Sequence, residues 1–239
     1  MQSNDSRICS CRPDPARSRV PRIRRSIVTG RSSDVRPSLG RDFPIPVVYA
    51  LATSADPLDV SITHDDTGGA SLAVRHLLAT GRRKIAMVSG PAHHTSSQNR
   101  VRGTLQALVE AGEQLVGGVP LYGDWSERWG REAAIRLLRS GAEFSGVFCA
   151  SDQIARGVAD GLRENDISVP HLVGVVGVDN WDVMVDASRP TLTTVDLNLG
   201  ELGHVAATRL LALIDKEHVA PGVEKISCHL VPRQSTAVD

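Results

Sequence analysis

Aromatic residues are scarce in this chain, at only 3% of 239 positions. Each Trp and Phe is therefore worth locating. Net charge is absent too: 27 basic residues balance 27 acidic ones, so no global basicity points to a nucleic-acid partner. The four cysteines, Cys9, Cys11, Cys149 and Cys228, make no disulfide framework, and a reducing cytoplasm is the default location. Cys9-x-Cys11 has no second pair, which argues against a metal site. No apolar run is long enough to span a bilayer, and no apolar signal-peptide core opens the sequence. G-x-G-x-x-G, the P-loop, G-x-S-x-G and H-E-x-x-H do not occur. The expectation is a protein that is no enzyme and carries no cofactor or metal. His93-His94 is the one suggestive histidine pair, and it reads as a solvated loop.

What is present begins with a compositional break. Residues 1–26 hold Arg7, Arg12, Arg17, Arg19, Arg22, Arg24 and Arg25 against Asp5 and Asp14, with almost nothing apolar. Such a segment cannot bury a core and reads as a disordered, Arg-rich leader. After it, strands alternate with helices. Apolar runs at 47–50, 60–62, 84–89, 119–122, 145–150 and 172–178 read as strands. Periodic stretches at about 65–79, 96–111, 126–139, 152–164 and 199–216 read as helices, closed by Gly81 and Gly112 in the first two cases. Residues 192–195 are extended, and 224–230 alternate like one further strand. This order predicts a parallel, doubly wound α/β architecture.

Two of the strands end in acids. The run at 172–178 leads into Asp179, and 147–150 leads into Ser151-Asp152. In open parallel sheets, ligands bind just beyond the carboxyl ends of strands. A carboxylate accepts two hydrogen bonds at once, which suits a vicinal diol or an amine. The competing role for Asp179 is to cap the turn at Asn180-Trp181; for Asp152 it is to cap its helix.

Six motifs in order carry a resemblance: H-L-L-A-T-G-R-R-K-I-A-M-V-S-G-P (76–91), N-R-V-R-G (99–103), S-D-Q-I-A-R-G-V (151–158), V-G-V-V-G-V-D-N (173–180), R-P-T-L-T-T-V (189–195) and V-P-R-Q-S-T (231–236). From about residue 27 to 236 the chain resembles the effector-binding core of LacI/GalR-type transcription repressors, which look like periplasmic sugar-binding proteins. The resemblance implies a two-lobed periplasmic-binding-protein-like fold, with residues 27–81 and 196–221 in a first, incomplete lobe and 82–195 with 222–239 in the second. The 190–197 link is expected to cross between lobes. It also implies lobe closure on a small-molecule effector, a sugar or polyol. An exported or cytoplasmic sugar-binding protein of the same fold is the alternative.

The resemblance places ligand contacts at Asp179, at Arg100, at Trp125 in G-D-W-S, and at Asp66 on the cleft edge, an assignment that could slip by one to Asp65. Asp152 and Trp181 are further candidates. The guanidinium of Arg100 can fix a pair of hydroxyls or an anion. An indole packs on the C–H face of a sugar. Ser151 and Leu197 depart from residues that relatives often carry there. A homodimer is implied because such repressors read paired half-sites. Operator DNA is expected to be met only through a helix-turn-helix headpiece, and no helix pair of that kind precedes Ile27.

Overall fold

The computed structural model describes residues 25–30, 34–40 and 42–237. The Arg-rich leader at 1–26 lies almost wholly outside these residues, as do Cys9 and Cys11. In chain order come β1 (Ser26–Thr29), β2 (Val35–Arg36), β3 (Val47–Ala50), β4 (Thr53–Ser54), β5 (Val60–His64), α1 (Asp66–Ala79), β6 (Ile85–Ser89), α2 (Thr95–Glu110), β7 (Leu121–Tyr122) and α3 (Glu127–Arg139). Then follow β8 (Gly146–Cys149), α4 (Asp152–Arg163), β9 (Gly174–Val178), the short α5 (Asp182–Val185), β10 (Thr193–Asp196), α6 (Leu199–Ile214), β11 (Gly222–Ile226) and β12 (His229–Val231).

These elements build two large sheets, with β2 and β4 paired as a separate two-stranded one. The first runs β1-β3-β5-β11 and is parallel throughout. The second runs β12-β10-β9-β8-β6-β7, parallel except for β12 against β10. The centre of the second sheet is buried on both faces, which is why β6 and β9 read as unbroken apolar runs. Alternation along β6 sorts its side chains. Ile85 and Met87 join a core with α1 and α2, while Ala86 and Val88 join another with α3 and α4. The first sheet packs its Val48, Ile62 and Ile226 against Leu202, Ala206 and Leu210 of α6.

The chain crosses between the lobes three times, at residues 65, 197–198 and 227–228. These crossings differ from the expected partition. Helix α1, assigned to the first lobe with residues 27–81, packs on the second sheet: an amphipathic pattern shows that a face is buried, not against which sheet. Residues 222–239, assigned whole to the second lobe, divide. Strand β11 hydrogen-bonds β5 in the first sheet and β12 hydrogen-bonds β10 in the second. Half of the 190–197 link is strand β10, and the crossing follows it at Leu197-Asn198, where Asn198 takes φ +53°.

Helices α3 and α4 meet at glycines. A Cβ on Gly157 would lie 2.0 Å from the carbonyl oxygen of Glu127, and one on Gly130 2.3 Å from that of Ile154. Backbone cannot yield as a side chain can, so Gly157→Ala should destabilise the protein by about 1–3 kcal/mol through overpacking. Gly203→Ala, in α6 with nothing within 4 Å of the added carbon, should instead stabilise by about 0.4–1 kcal/mol. Urea midpoints of the two variants check the pair; equal effects would show that the α3–α4 contact is not tight.

Candidate functional site

The carboxyl ends of β3, β5, β6, β8, β9 and β10 converge on the cleft between the sheets. They enclose a cavity of about 490 Å³ lined by Leu51, His64, His94, Ser96, Arg100, Trp125, Ser151, Gln153, Asp179, Leu197 and Leu199. Both lobes contribute. Leu51, His64 and Leu199 come from the first and the rest from the second or the crossing, as expected for a site at the strand ends of facing α/β units.

Arg100 is the structural centre of this site. It projects from α2 and is only 4% exposed. Its Nε donates to Asp66 Oδ1 at 2.8 Å and its Nη1 donates to the carbonyl of Ala150. Asp66 opens α1 and also meets His64 Nε2 at 3.1 Å. Burial alone would raise the Asp66 pKa, but the charges of Arg100 and His64 outweigh it and hold the group at about 2. The arginine is correspondingly pushed above its ordinary value: burial opposes its charge, yet Asp66 and then Asp179 more than restore it.

Asp179 follows β9 with φ +118°, and Asn180 follows with +52°. Two consecutive non-glycine residues in this region store strain of the kind found at ligand sites. Burial raises the Asp179 pKa to about 6, against the lowering charge of Arg100. Trp125 stands over Gly90, where a Cβ would come within 2.3 Å of the indole; glycine there is what admits the ring. The indole Nε1 donates to His94 Nδ1 at 3.0 Å.

Of the candidates, Asp179, Arg100 and Trp125 therefore meet at the cavity wall. Asp66 and Asp152 do not line it. Asp66 is buried behind Arg100. Asp152 is fully buried, where its Oδ1 accepts from Thr194 Oγ1 at 2.6 Å and its Oδ2 accepts from the Trp181 amide at 3.0 Å. It ties the loop after β9 to β10. The capping role weighed for Asp152 belongs to Ser151, whose side chain accepts from the Ile154 amide. Trp181 is half exposed and outside the lining.

Sequence reasoning missed His94, taken for a solvated loop residue, along with His64, Ser96, Gln153, Leu51 and Leu199. His94 lies between β6 and α2, beyond the carboxyl end of that strand. The rule that found Asp179 would have found it too. His64 Nδ1 is buried without a hydrogen-bond partner.

A model of the periplasmic binding protein-like domain matches residues 74–236. The chain belongs to that family. Its relatives are LacI/GalR-type regulators, matched over the effector-binding core. Catabolite control protein A of Priestia megaterium is 30% identical, aligning over 81% of this chain and 58% of that protein. The HTH-type transcriptional regulator GalR of Escherichia coli (strain K12) is 33% identical over 74% of this chain and 51% of that one. The chain thus spans between half and three fifths of the length of these curated relatives. Among solved structures, the transcriptional regulator CelR–cellobiose complex superposes with TM-score 0.71 at 28% identity, covering 84% of this chain and 64% of that chain. A lac repressor bound to ONPG in the repressed state gives 0.73 at 28% identity, covering 82% and 58%. These family members are transcriptional regulators, not enzymes. Among the described residues, no helix is long and apolar enough to cross a membrane.

The buried acids set a pH dependence. Burial also raises Asp152, to about 7, only partly offset by its hydrogen bonds from Thr194 and Trp181. Between the ordinary carboxylate value of 3.8 and the folded values of about 6 and 7, the folded state binds more protons than the unfolded one. Stability must therefore fall as pH rises through that window. Asp66 has the opposite sign: its contribution is present above pH 3.8 and is lost as pH falls toward 2. The urea midpoint of the ligand-free protein should peak on the acid side of neutrality. Asp152→Asn should flatten the decline on the alkaline side. A midpoint climbing steadily from pH 5 to 8 in both proteins would contradict the assignment.

Proposed function

We propose that this chain is the effector-sensing core of a LacI-type transcriptional regulator, whose lobes close on a small neutral ligand of the sugar or polyol class. The observation that carries the reading is the cavity between the lobes, where Arg100 is fixed by Asp66 and Asp179 shares the wall with Trp125. A fixed guanidinium and a carboxylate give hydroxyl groups both donors and acceptors. The indole offers an apolar face for ring C–H groups. Lining from both lobes means that a ligand binds best when they close on it, and this difference in affinity is what couples binding to lobe orientation. Asp179, Arg100 and Trp125 are the proposed contacts. Asp66 and Asp152 are proposed to position Arg100 and the Asp179 loop respectively.

The working state is proposed to be a cytoplasmic homodimer. Operator contact would run through a helix-turn-helix headpiece of the kind its HTH-type relatives are named for. No catalysis is assigned.

Titration calorimetry against sugars and polyols tests this reading. A binding member of the panel should lose about tenfold to 100-fold in affinity on Asp179→Asn or Arg100→Ala, as for hydrogen bonds to charged groups. Small-angle scattering should show a smaller radius of gyration with saturating ligand. Unchanged scattering at saturation would remove closure from the mechanism.

A further inference from the structure

A second cavity, of about 570 Å³, lies outside the cleft and shares no lining residue with it. It is a groove along α1 and α2 that reaches the chain crossings at Asp65 and Cys228. His64 lines the cleft, while Asp65, the next residue, lines the groove. Successive side chains of an extended segment point to opposite faces, so one crossing serves both cavities. The floor is where the two helices touch. A Cβ on Gly103 would lie 2.0 Å from the carbonyl oxygen of Thr67, and Ser71 Oγ donates to the Gly103 carbonyl oxygen at 2.9 Å. Arg75 rises on the α1 side, and the i, i+4 neighbours Arg102 and Gln106 on the α2 side. Lys225 reaches the same space from β11, which belongs to the first sheet.

The charges in this groove are unequally satisfied. Arg75 is neutralised by Glu110, with Nη2 2.7 Å from Oε2, and Gln106 Nε2 donates to the other carboxylate oxygen at 3.0 Å. Lys225 Nζ stands 3.8 Å from Asp65 Oδ1, too far for a hydrogen bond. Arg102 donates through Nη1 to a neutral group, Asn99 Oδ1, at 3.2 Å. Among the described residues, three cations against two acids leave one positive charge in excess. The two cations with donors to spare, Arg102 and Lys225, come from different lobes and face one concave space. Like charges placed so repel each other, and an anion between them turns that repulsion into attraction.

We propose that this groove is a second ligand site, which takes a small phosphate monoester with its phosphate between Arg102 and Lys225. A guanidinium fork matches two phosphate oxygens, and an ammonium meets a third as a point charge. A phosphate monoester carries about two negative charges at neutral pH, so both cations are matched in spite of Asp65 in the wall. Thr67, Gln106 and Ser227 offer hydrogen bonds to a hydroxylated remainder. The volume suits a small molecule rather than a bare ion. A ligand held by β11 and α2 at once favours one lobe orientation. The groove is then a second input to the lobe movement proposed above, and that step alone rests on it.

The test is calorimetry with glycerol 3-phosphate, inorganic phosphate, sulfate and plain glycerol, at fixed ionic strength in chloride. Glycerol 3-phosphate should bind saturably and more tightly than inorganic phosphate or sulfate, and glycerol should not bind. Arg102→Ala and Lys225→Ala should each weaken it by about tenfold, as for a hydrogen bond to a charged group. Both side chains are exposed, so the variants are expected to fold, with a melt checking this; Arg102→Lys should recover part of the loss. Scattering at saturating glycerol 3-phosphate should change in the unaltered protein and not in Lys225→Ala. No saturable binding at millimolar concentration overturns the site, as does equal binding of sulfate, which would mean an adventitious ion only. Binding that survives both alanine variants also overturns it, by placing the phosphate elsewhere, such as at Arg100. Loss in Arg102→Ala alone, or unchanged scattering, overturns the bridge between lobes. Sugar titrations are read separately, so a failed sugar panel removes the sensing role and leaves a phosphate site that passes these tests standing.

Discussion

The ion pair between Arg100 and Asp66 holds the site together. Asp66 opens α1 and Arg100 comes from the second turn of α2, and both helices lie on the same face of the second sheet. A guanidinium this deeply buried is tolerable only with a fixed counter-charge, and Asp66 supplies it from the first turn of α1. The same contact fixes the chain next to a lobe crossing, since Asp65 bonds back to Ile226 through its backbone amide. Arg100 is thus anchored beside a crossing between the lobes, through an aspartate that also meets His64 of the first.

Behind this pair sits a second polar layer that shapes the ligand side. Asp152 accepts from Thr194 and from the Trp181 amide, and Asn180 donates through Nδ2 to Asp196 Oδ2 at 3.0 Å. Asp196 in turn accepts from the Asn198 amide through Oδ1. The strained turn carrying Asp179 is thereby tied to the crossing that starts α6. Strain at Asp179 persists because these neighbours over-determine its position.

Much of this was legible beforehand. Strand β9 could be read because a strand covered on both faces shows as a continuous apolar run. Helix α3 could be read because Ser126 is a cap by type and position. Asp179 stood out because an acid at a strand end has little reason to exist in a core. Asp152 carried the same signal and proved to be turned under the loop. Nothing local distinguishes the two, because the difference lies in Thr194, 42 residues away, whose hydroxyl captures Asp152. The split of 224–230 between β11 and β12 was hidden for a similar reason. Alternation describes one half-buried strand or two short ones equally well, and only pairing partners decide. Helix α1 was found but put in the wrong lobe, because its burial pattern does not name the surface that covers it.

The order of strands in the first sheet has a consequence for how the protein is made. Strand β5 sits between β3 and β11, so its second edge stays open until residues 222–226 leave the ribosome, long after β5 itself. During synthesis a five-residue strand, fully buried in the finished molecule, waits with unpaired amides while the long 66–196 segment emerges and begins to fold. An open edge of this kind is a template for pairing with another nascent chain. The lobe whose sequence comes first thus keeps an open edge until β11 has emerged, and its exposure to misassembly grows with the time this takes.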